Sequence, residues 1–238
     1  METQTDEITD GVFRFSTFIA DANIMINQFL VRAEEPLLFH TGQRALFPLV
    51  SEAIARVLPL DRLRWVTFGH VEADECGAMN QFLAAAPNAT VAHGAIACMV
   101  QVNDLADRAP RPLGADEVLD LGGRQVRNLD TPHIPHGWDA HVLYEQATRT
   151  LFCGDLFTRF GEGPVTTTDD IVEAALDAES FGAATALTPA TAPTLRRLAA
   201  LDIDTLALMH GPAYKGDCAK TLLALADGYA QMLETASA

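Results

Sequence analysis

Four side chains of the types that bind metal ions or move protons stand close together in one short loop. The loop follows an apolar run at residues 63–68, which is typical of a buried strand, and the four side chains are His70, Glu72, Asp74 and Glu75. In an extended turn, the alternating positions 70, 72 and 74 can share one side. One imidazole with two carboxylates suits iron or manganese at least as well as zinc. The alternative is a solvated acidic turn at the start of a helix.

Two further histidines lie in a second loop, between apolar runs at residues 125–129 and 140–145. They are His133 and His136, and the loop also contains two prolines and Gly137. Proline stiffens the backbone and glycine permits a turn, so we expect both imidazoles to be held in place. Two histidines in a rigid loop favour a ligand, although a surface or core histidine is the alternative for each.

Two more predicted strands end in a residue that can bind a metal. Asp155 follows the run at residues 150–153, and His210 follows the run at residues 204–209. A carboxylate at the end of a buried strand is costly unless a partner pairs with it, and a metal ion is such a partner. A turn cap and a loop histidine are the alternatives. Four such strand ends on one edge of a sandwich would converge.

The apolar periodicity predicts two similar halves, each with several short strands and then helices. The predicted strands lie at residues 12–19, 25–32, 36–42, 63–68, 90–92, 117–119, 125–129, 140–145, 150–153 and 204–209. The predicted helices lie at residues 43–58, 75–86, 93–105, 171–181 and 216–234, with a further helix that begins at Thr191 or Thr194. This repetition predicts an α/β (α+β) fold, a four-layer αββα sandwich of two packed sheets with helices outside. We expect residues 1–238 to form one domain.

Composition excludes several classes of partner. The formal net charge is −16, and the only lysines are Lys215 and Lys220, so nucleic acids and anionic membranes are unlikely partners. The N-terminus lacks the basic and apolar regions of a signal peptide, and no apolar run is long enough for a membrane helix. We therefore expect a cytoplasmic protein with four reduced cysteines.

The order and spacing of these residues resemble the metallo-β-lactamase superfamily. Its hydrolases have the pattern His-x-His-x-Asp-His, whereas this chain has Glu72 in the second histidine position. That substitution resembles the flavodiiron proteins and the single-domain oxygen-binding di-iron proteins. The resemblance continues through Pro-His-Gly-Trp-Asp at residues 135–139, Phe-Cys-Gly-Asp at 152–155 and Met-His-Gly at 209–211. It extends from about residue 39 to residue 214, and it implies the metallo-β-lactamase type of sandwich.

The resemblance also implies a ligand set for two iron ions, with zinc as the alternative metal. Asp155 would bridge the two ions. The other ligands would be His70, Glu72 and His136 for one ion, and Asp74 and His210 for the other.

Three further residues have roles that the resemblance leaves open. Glu75 stands where many flavodiiron proteins have histidine, and it could bind the second metal, accept a hydrogen bond from a ligand, or cap a helix. His40 is expected to support a ligand or to be a satisfied core histidine. His133 is expected to support a ligand rather than to bind metal.

The function that the resemblance implies is binding of dioxygen or nitric oxide, for sensing or storage, or reduction of either molecule. We expect no flavin in this chain, because 28 residues follow His210 and no Gly-rich phosphate loop occurs. Electrons for reduction would then come from a separate flavoprotein or rubredoxin, and a homodimer is expected. The alternative function is a dinuclear zinc hydrolase that acts on an ester, thioester or lactam.

Overall fold

The computed structural model describes residues 1–236, and its first sheet contains seven strands in chain order. The strands are β1 (Thr3–Thr9), β2 (Val12–Ile19), β3 (Ile24–Val31), β4 (Leu37–Phe39), β5 (Trp65–Thr67), β6 (Thr90–Gly94) and β7 (Arg111–Leu113). Strands β1 to β4 pair antiparallel, and β4 to β7 pair parallel. The parallel pairing brings the carboxyl ends of β4, β5 and β6 to one edge of the sheet.

The second sheet also has seven strands, in the order β12-β14-β13-β11-β10-β9-β8. They are β8 (Val118–Asp120), β9 (Gln125–Asp130), β10 (His141–Glu145), β11 (Thr150–Phe152), β12 (Thr166–Thr167), β13 (Thr205–Ala207) and β14 (Ala213–Tyr214). Strands β11 and β13 are parallel neighbours, so the segments that follow them leave the sheet at the same edge.

Helices cover the outer faces of the two sheets. They are α1 (Phe47–Ala55), α2 (Ala73–Cys76), α3 (Met79–Ala85), α4 (Ala95–Ala97), α5 (Asn103–Leu105), α6 (Val172–Gly182), α7 (Thr191–Ala199) and α8 (Cys218–Ala236). A π-helical turn, Cys98–Val102, joins α4 to α5. Within residues 1–236, no helix is both long enough and apolar enough to cross a lipid bilayer.

Three layers of buried apolar side chains hold the sheets and helices together. Between the sheets, the ring of Phe152 lies 5.5 Å from that of Phe29 and 5.3 Å from that of Phe39. Phe82 belongs to the core beneath α1 and α3, and Leu222 belongs to the core beneath α6 to α8. Burial of each such side chain contributes about 1.5–3 kcal/mol. The four-layer αββα sandwich predicted from the sequence is therefore confirmed.

Some local predictions were wrong. The helix expected over residues 75–86 is divided into α2 and α3 by a turn, and His93, expected in a helix, lies in β6. The predicted strands do not include residues 111–113, which form β7, an edge strand in which Pro112 is tolerated. Strands β1, β12 and β14 have no predicted counterpart, because β1 is mostly polar and the other two have two residues each.

Candidate metal centre

The four predicted strand ends meet at one edge of the sandwich. The loop after β5 and the loop between β9 and β10 are joined where the backbone N–H of His141 donates to the carbonyl of Gly69 at 2.9 Å. The segment after β13 is fixed to β3, where the Asn27 amide donates to the carbonyls of Leu208 at 2.8 Å and Gly211 at 2.7 Å. These hydrogen bonds hold the loops and segments that carry the side chains against the neighbouring strands.

One group of side chains, which we call the first ligand group, consists of His70, Glu72, His136 and Asp155. One ligand atom from each of these residues lies within 4.8 Å of the others. Oε2 of Glu72 is 2.7 Å from Nε2 of His70 and 2.8 Å from Nε2 of His136. Oδ2 of Asp155 is 3.8 Å and 3.5 Å from the same two nitrogens. This arrangement surrounds a volume suited to one cation.

A second group, the second ligand group, consists of Asp74, His210 and again Asp155. Nε2 of His210 lies 3.2 Å from Oδ1 of Asp155 and 3.4 Å from Oδ2 of Asp74. Asp155 therefore directs one carboxylate oxygen at each group. The structure thus brings together all six residues for which the sequence predicted a ligand role.

Hydrogen bonds and close contacts on the outer ring nitrogens orient two of the three histidines. Nδ1 of His210 is 2.7 Å from the carbonyl of Met25, so that nitrogen must donate and Nε2 is left for the centre. Nδ1 of His70 lies 3.1 Å from Oε1 of Glu75. Such partners on the far nitrogen fix the ring orientation of metal-binding histidines.

The electrostatics of the centre favour positive charge. Burial opposes protonation of His70, but the facing carboxylates of Glu75, Glu72 and Asp155 outweigh it and raise its pKa to about 11. Burial is likewise outweighed at His210 by Asp155 and Asp74, which raise its pKa to about 10. Hydrogen bonds from His136 and His70 hold the pKa of Glu72 well below its usual range.

The donor set fits metal ions. In the part of the chain that the structure describes, Glu72, Asp74 and Asp155 form ion pairs with histidines and with no lysine or arginine. Oδ1 of Asp74 and Oδ1 of Asp155 are buried and make no well-aligned hydrogen bond. Buried carboxylate oxygens without a donor are rare, and a bound cation would satisfy both.

Two of the three residues with open roles lie beneath His70, and the third lies apart. Glu75 is 0% exposed, and its Oε1 is 3.6 Å from Nε2 of the equally buried His40. His133 is exposed at the tip of its loop, where its backbone N–H donates to the carbonyl of Gly137. Among the described contacts, none links the His133 side chain to the ligand groups.

A cavity of about 200 Å³ leads to the two ligand groups. Its outer wall comes from α6, α8 and the loop that contains Phe160, with Ala178, Glu179 and Tyr229 among the lining residues. Sequence reasoning missed this wall. The only signal was apolar helical spacing in residues 216–234, which also describes an ordinary core helix.

Comparison with known proteins supports the fold and identifies a family. A family model described as "ODP family beta lactamase" matches residues 24–211. Among solved structures, the metal-soaked Flv1 flavodiiron core from Synechocystis has a TM-score of 0.78 at 24% identity, over 98% of this chain and 61% of that one. The rubredoxin oxygen:oxidoreductase of Desulfovibrio gigas has a TM-score of 0.79 at 17% identity, over 97% of this chain and 62% of that one. At these identities the likeness establishes the fold.

A curated relative is the anaerobic nitric oxide reductase flavorubredoxin of Pectobacterium carotovorum. It is 24% identical over 134 residues, which are 55% of this chain and 26% of that protein. The matched region spans about a quarter of the length of the curated relatives.

Proposed function

The chain belongs to the ODP family of beta-lactamases, within the di-iron branch of the metallo-β-lactamase superfamily, and we propose that it holds two iron ions that bind dioxygen or nitric oxide. The observation that carries this proposal is the placement of Asp155. Its Oδ2 faces the first ligand group, and its Oδ1 faces the second. A carboxylate shared in this way is what two neighbouring cations need to screen their repulsion.

The balance of ligand types supports iron over zinc. The two groups together offer three imidazoles and three carboxylates, and no thiolate takes part. Carboxylate oxygens stabilise the trivalent state of iron, whereas a mainly imidazole site suits divalent zinc. Glu72 is the residue that shifts this balance, because it stands where hydrolases of the superfamily have histidine.

The residues of this chain would bind the ions, orient them and limit the access of water. His70, Glu72 and His136 would hold one ion, Asp74 and His210 the other, and Asp155 both. When bound, two iron ions would supply reversible binding or reduction of a diatomic molecule. Apolar side chains, Ala175, Ala178 and Phe160, line part of the cavity, and they would admit an uncharged diatomic more readily than an ion.

The names of similar proteins support dioxygen and nitric oxide as ligands. One solved structure is named an oxygen:oxidoreductase, and one curated relative is named a nitric oxide reductase. We propose that this chain acts as a cytoplasmic homodimer and senses or stores the diatomic. Reduction would require electrons from a redox partner, and turnover with a generic electron donor distinguishes reduction from sensing or storage.

The experiment that tests diatomic binding is a titration of the reduced, iron-loaded protein with nitric oxide or dioxygen under anaerobic control. The proposal expects a change in the visible absorption spectrum that saturates with added ligand. The His210→Ala variant, which lacks one proposed iron ligand, serves as the control. The change in its visible absorption spectrum should be smaller than that of the wild-type protein. A ferrous wild-type protein with two irons and no spectral response would contradict diatomic binding.

One observation favours the alternative, a dinuclear zinc hydrolase of an ester, thioester or lactam. The cavity of about 200 Å³ is several times larger than a diatomic needs, since one water occupies about 30 Å³ of the liquid. A zinc-bound water would then be the nucleophile. Hydrolysis of a chromogenic ester or thioester by zinc-loaded protein, lost in Asp155→Ala, would support this alternative.

A further inference from the structure

We infer that Glu75 positions His70 for the first metal and does not bind the second metal. The inference rests on the proposed two-metal centre, and it concerns a residue whose position in sequence, directly after Asp74, suggested a further ligand. Three observations support it: the Glu75 carboxylate lies behind the His70 ring, it contacts two histidines, and two glycines leave space for it.

Both oxygens of the Glu75 carboxylate face His70. Oε2 accepts the backbone N–H of His70 at 2.6 Å, and Oε1 lies 3.1 Å from Nδ1 of the ring. The other ring nitrogen, Nε2, lies 2.7 Å from Oε2 of Glu72. Because the two nitrogens of an imidazole point in nearly opposite directions, Glu75 is behind the ring that presents Nε2 to the metal.

Two glycines from different strand ends make room for this carboxylate. A Cβ atom at Gly69 would lie 2.9 Å from both oxygens of Glu75, and a Cβ atom at Gly154 would lie 3.3 Å from Oε1. A side chain at Gly69 would displace the Glu75 carboxylate, and a side chain at Gly154 would crowd it. The two glycines therefore leave a pocket beneath His70 that the Glu75 carboxylate fills. A helix cap or a solvated acidic side chain would not require such a pocket.

His40 closes the pocket from the other side. It is fully buried, its Nδ1 lies 3.2 Å from the carbonyl of Asn27, and its Nε2 faces Oε1 of Glu75 at 3.6 Å. A carbonyl can only accept, so Nδ1 carries the proton when this bond forms. Glu75 is thus enclosed between two imidazoles and has no exposed surface.

The other two roles of Glu75 do not match this geometry. Glu75 is a residue of α2, but the backbone N–H that its carboxylate accepts is that of His70, which precedes the helix, so the carboxylate does not cap the helix. The second ligand group is formed by Asp74, Asp155 and His210, whose atoms meet at 3.2 and 3.4 Å. The described contacts of the Glu75 carboxylate are with His70 and His40 instead.

This arrangement makes the two metal positions unequal. The first ligand group offers four protein ligands, His70, Glu72, His136 and Asp155, and the second offers three, Asp74, Asp155 and His210. A negative charge behind His70 also raises the basicity of that ligand. The first metal should therefore bind more tightly, and the second should have more positions open to an added ligand.

The test measures the effect of Glu75→Gln on each metal position separately. Two backgrounds separate the effects: His210→Ala retains the whole first group, and His70→Ala retains the whole second group but lacks the histidine that Glu75 would position. Zinc affinity is measured in both by competition with a chromogenic chelator. Loss of a partner behind a metal-binding histidine typically costs about 10- to 100-fold in affinity, so we expect that loss in the His210→Ala background and less than about 2-fold in the His70→Ala background.

A ligand role for Glu75 in the second group predicts a loss in the His70→Ala background as well, and that result would overturn the inference. Glu145→Gln is the matched control. Glu145 is also fully buried and accepts backbone N–H groups, at 3.1 Å from Ala147 and 2.8 Å from Thr148, but lies outside both ligand groups. Its substitution should leave both affinities unchanged.

A measurement on the wild-type protein covers the case in which Glu75→Gln does not fold. In zinc-loaded protein, nitrogen-15 NMR should show the His70 ring protonated at Nδ1 and bound to metal through Nε2. Metal bound through Nδ1 would overturn the inference. Failure of the proposed function is distinguishable, because a wild-type protein that binds no metal would contradict the metal centre itself.

Discussion

Nδ1 of His70 lies 3.1 Å from Oε1 of Glu75, while Nε2 of the same ring lies 2.7 Å from Oε2 of Glu72. One imidazole is therefore held between two carboxylates that are only three residues apart in the sequence. The contact at Nε2 is with another member of the first ligand group. The contact at Nδ1 is with Glu75, which orients the ring from the opposite side. A short loop after β5 thus supplies both a ligand and the group that orients it.

Removal of Asp155 should empty both metal positions. Asp155→Ala deletes the carboxylate that faces both ligand groups. Without its negative charge, the repulsion between two neighbouring cations would no longer be offset. We expect well under one metal ion per chain by mass spectrometry, with a loss of at least about 100-fold in affinity at each position. Asp202→Ala, at an exposed aspartate, is the control. Full metal content in Asp155→Ala would show that the bridging assignment is wrong.

Replacement of Glu72 by histidine should change the preferred metal. Glu72→His exchanges a carboxylate for an imidazole in the first ligand group and restores the His-x-His part of the hydrolase pattern. Since imidazole suits zinc well and carboxylate suits trivalent iron, the ratio of zinc to iron should rise. The ratio is measured after expression in medium with equal iron and zinc. An unchanged ratio would mean that position 72 does not set the metal preference.

A larger side chain at Ala178 should slow ligand entry without removing metal. Ala178 lies on α6 and lines the cavity that leads to the centre, so a phenyl ring there would obstruct the path. Stopped-flow absorbance of the reduced Ala178→Phe protein should show slower nitric oxide association at unchanged iron content. Ala174→Phe is the matched control, because Ala174 lines only the outer groove beside Phe181. Equal association rates in wild type and Ala178→Phe would place the entry path elsewhere.

Acid should destabilise the protein through buried His93. Its ring stacks on that of His141 at 4.0 Å, and neither nitrogen of His93 has a hydrogen-bond partner among the described residues. Burial, and then the charges of His141 and His70, hold the pKa of His93 well below its usual value. The ring of His93 therefore remains neutral in the fold.

The free energy of unfolding should decrease as the pH falls, because the unfolded chain binds protons that the folded protein does not. His93 binds a proton below about pH 6.5 in the unfolded chain but not in the fold, so its contribution to stability is full above that pH and falls as the pH decreases towards the folded pKa. His93 contributes a slope of about 1.4 kcal/mol per pH unit in that range. Urea unfolding between pH 7 and 5 should show a shallower slope for His93→Phe than for wild type. Equal slopes would contradict the buried neutral state of His93.

The convergence of the strand ends was predictable, because parallel neighbours leave a sheet at the same edge. His70, Asp155 and His210 each follow a short apolar run that the sequence displays clearly. The role of Glu75 was not predictable, since it depends on space left by Gly69 and Gly154, which come from different sheets. Tyr229, in the cavity wall, has the helical spacing of an ordinary core residue, so only the packing of α8 shows its place.

The presence of a di-iron centre is tested by the metal content of the chain, measured by mass spectrometry on protein expressed with added iron and purified without chelators. We expect about two irons per chain, because two ligand groups share Asp155. Two zinc ions per chain with iron excluded would contradict a di-iron centre. That result would favour the hydrolase over the di-iron protein.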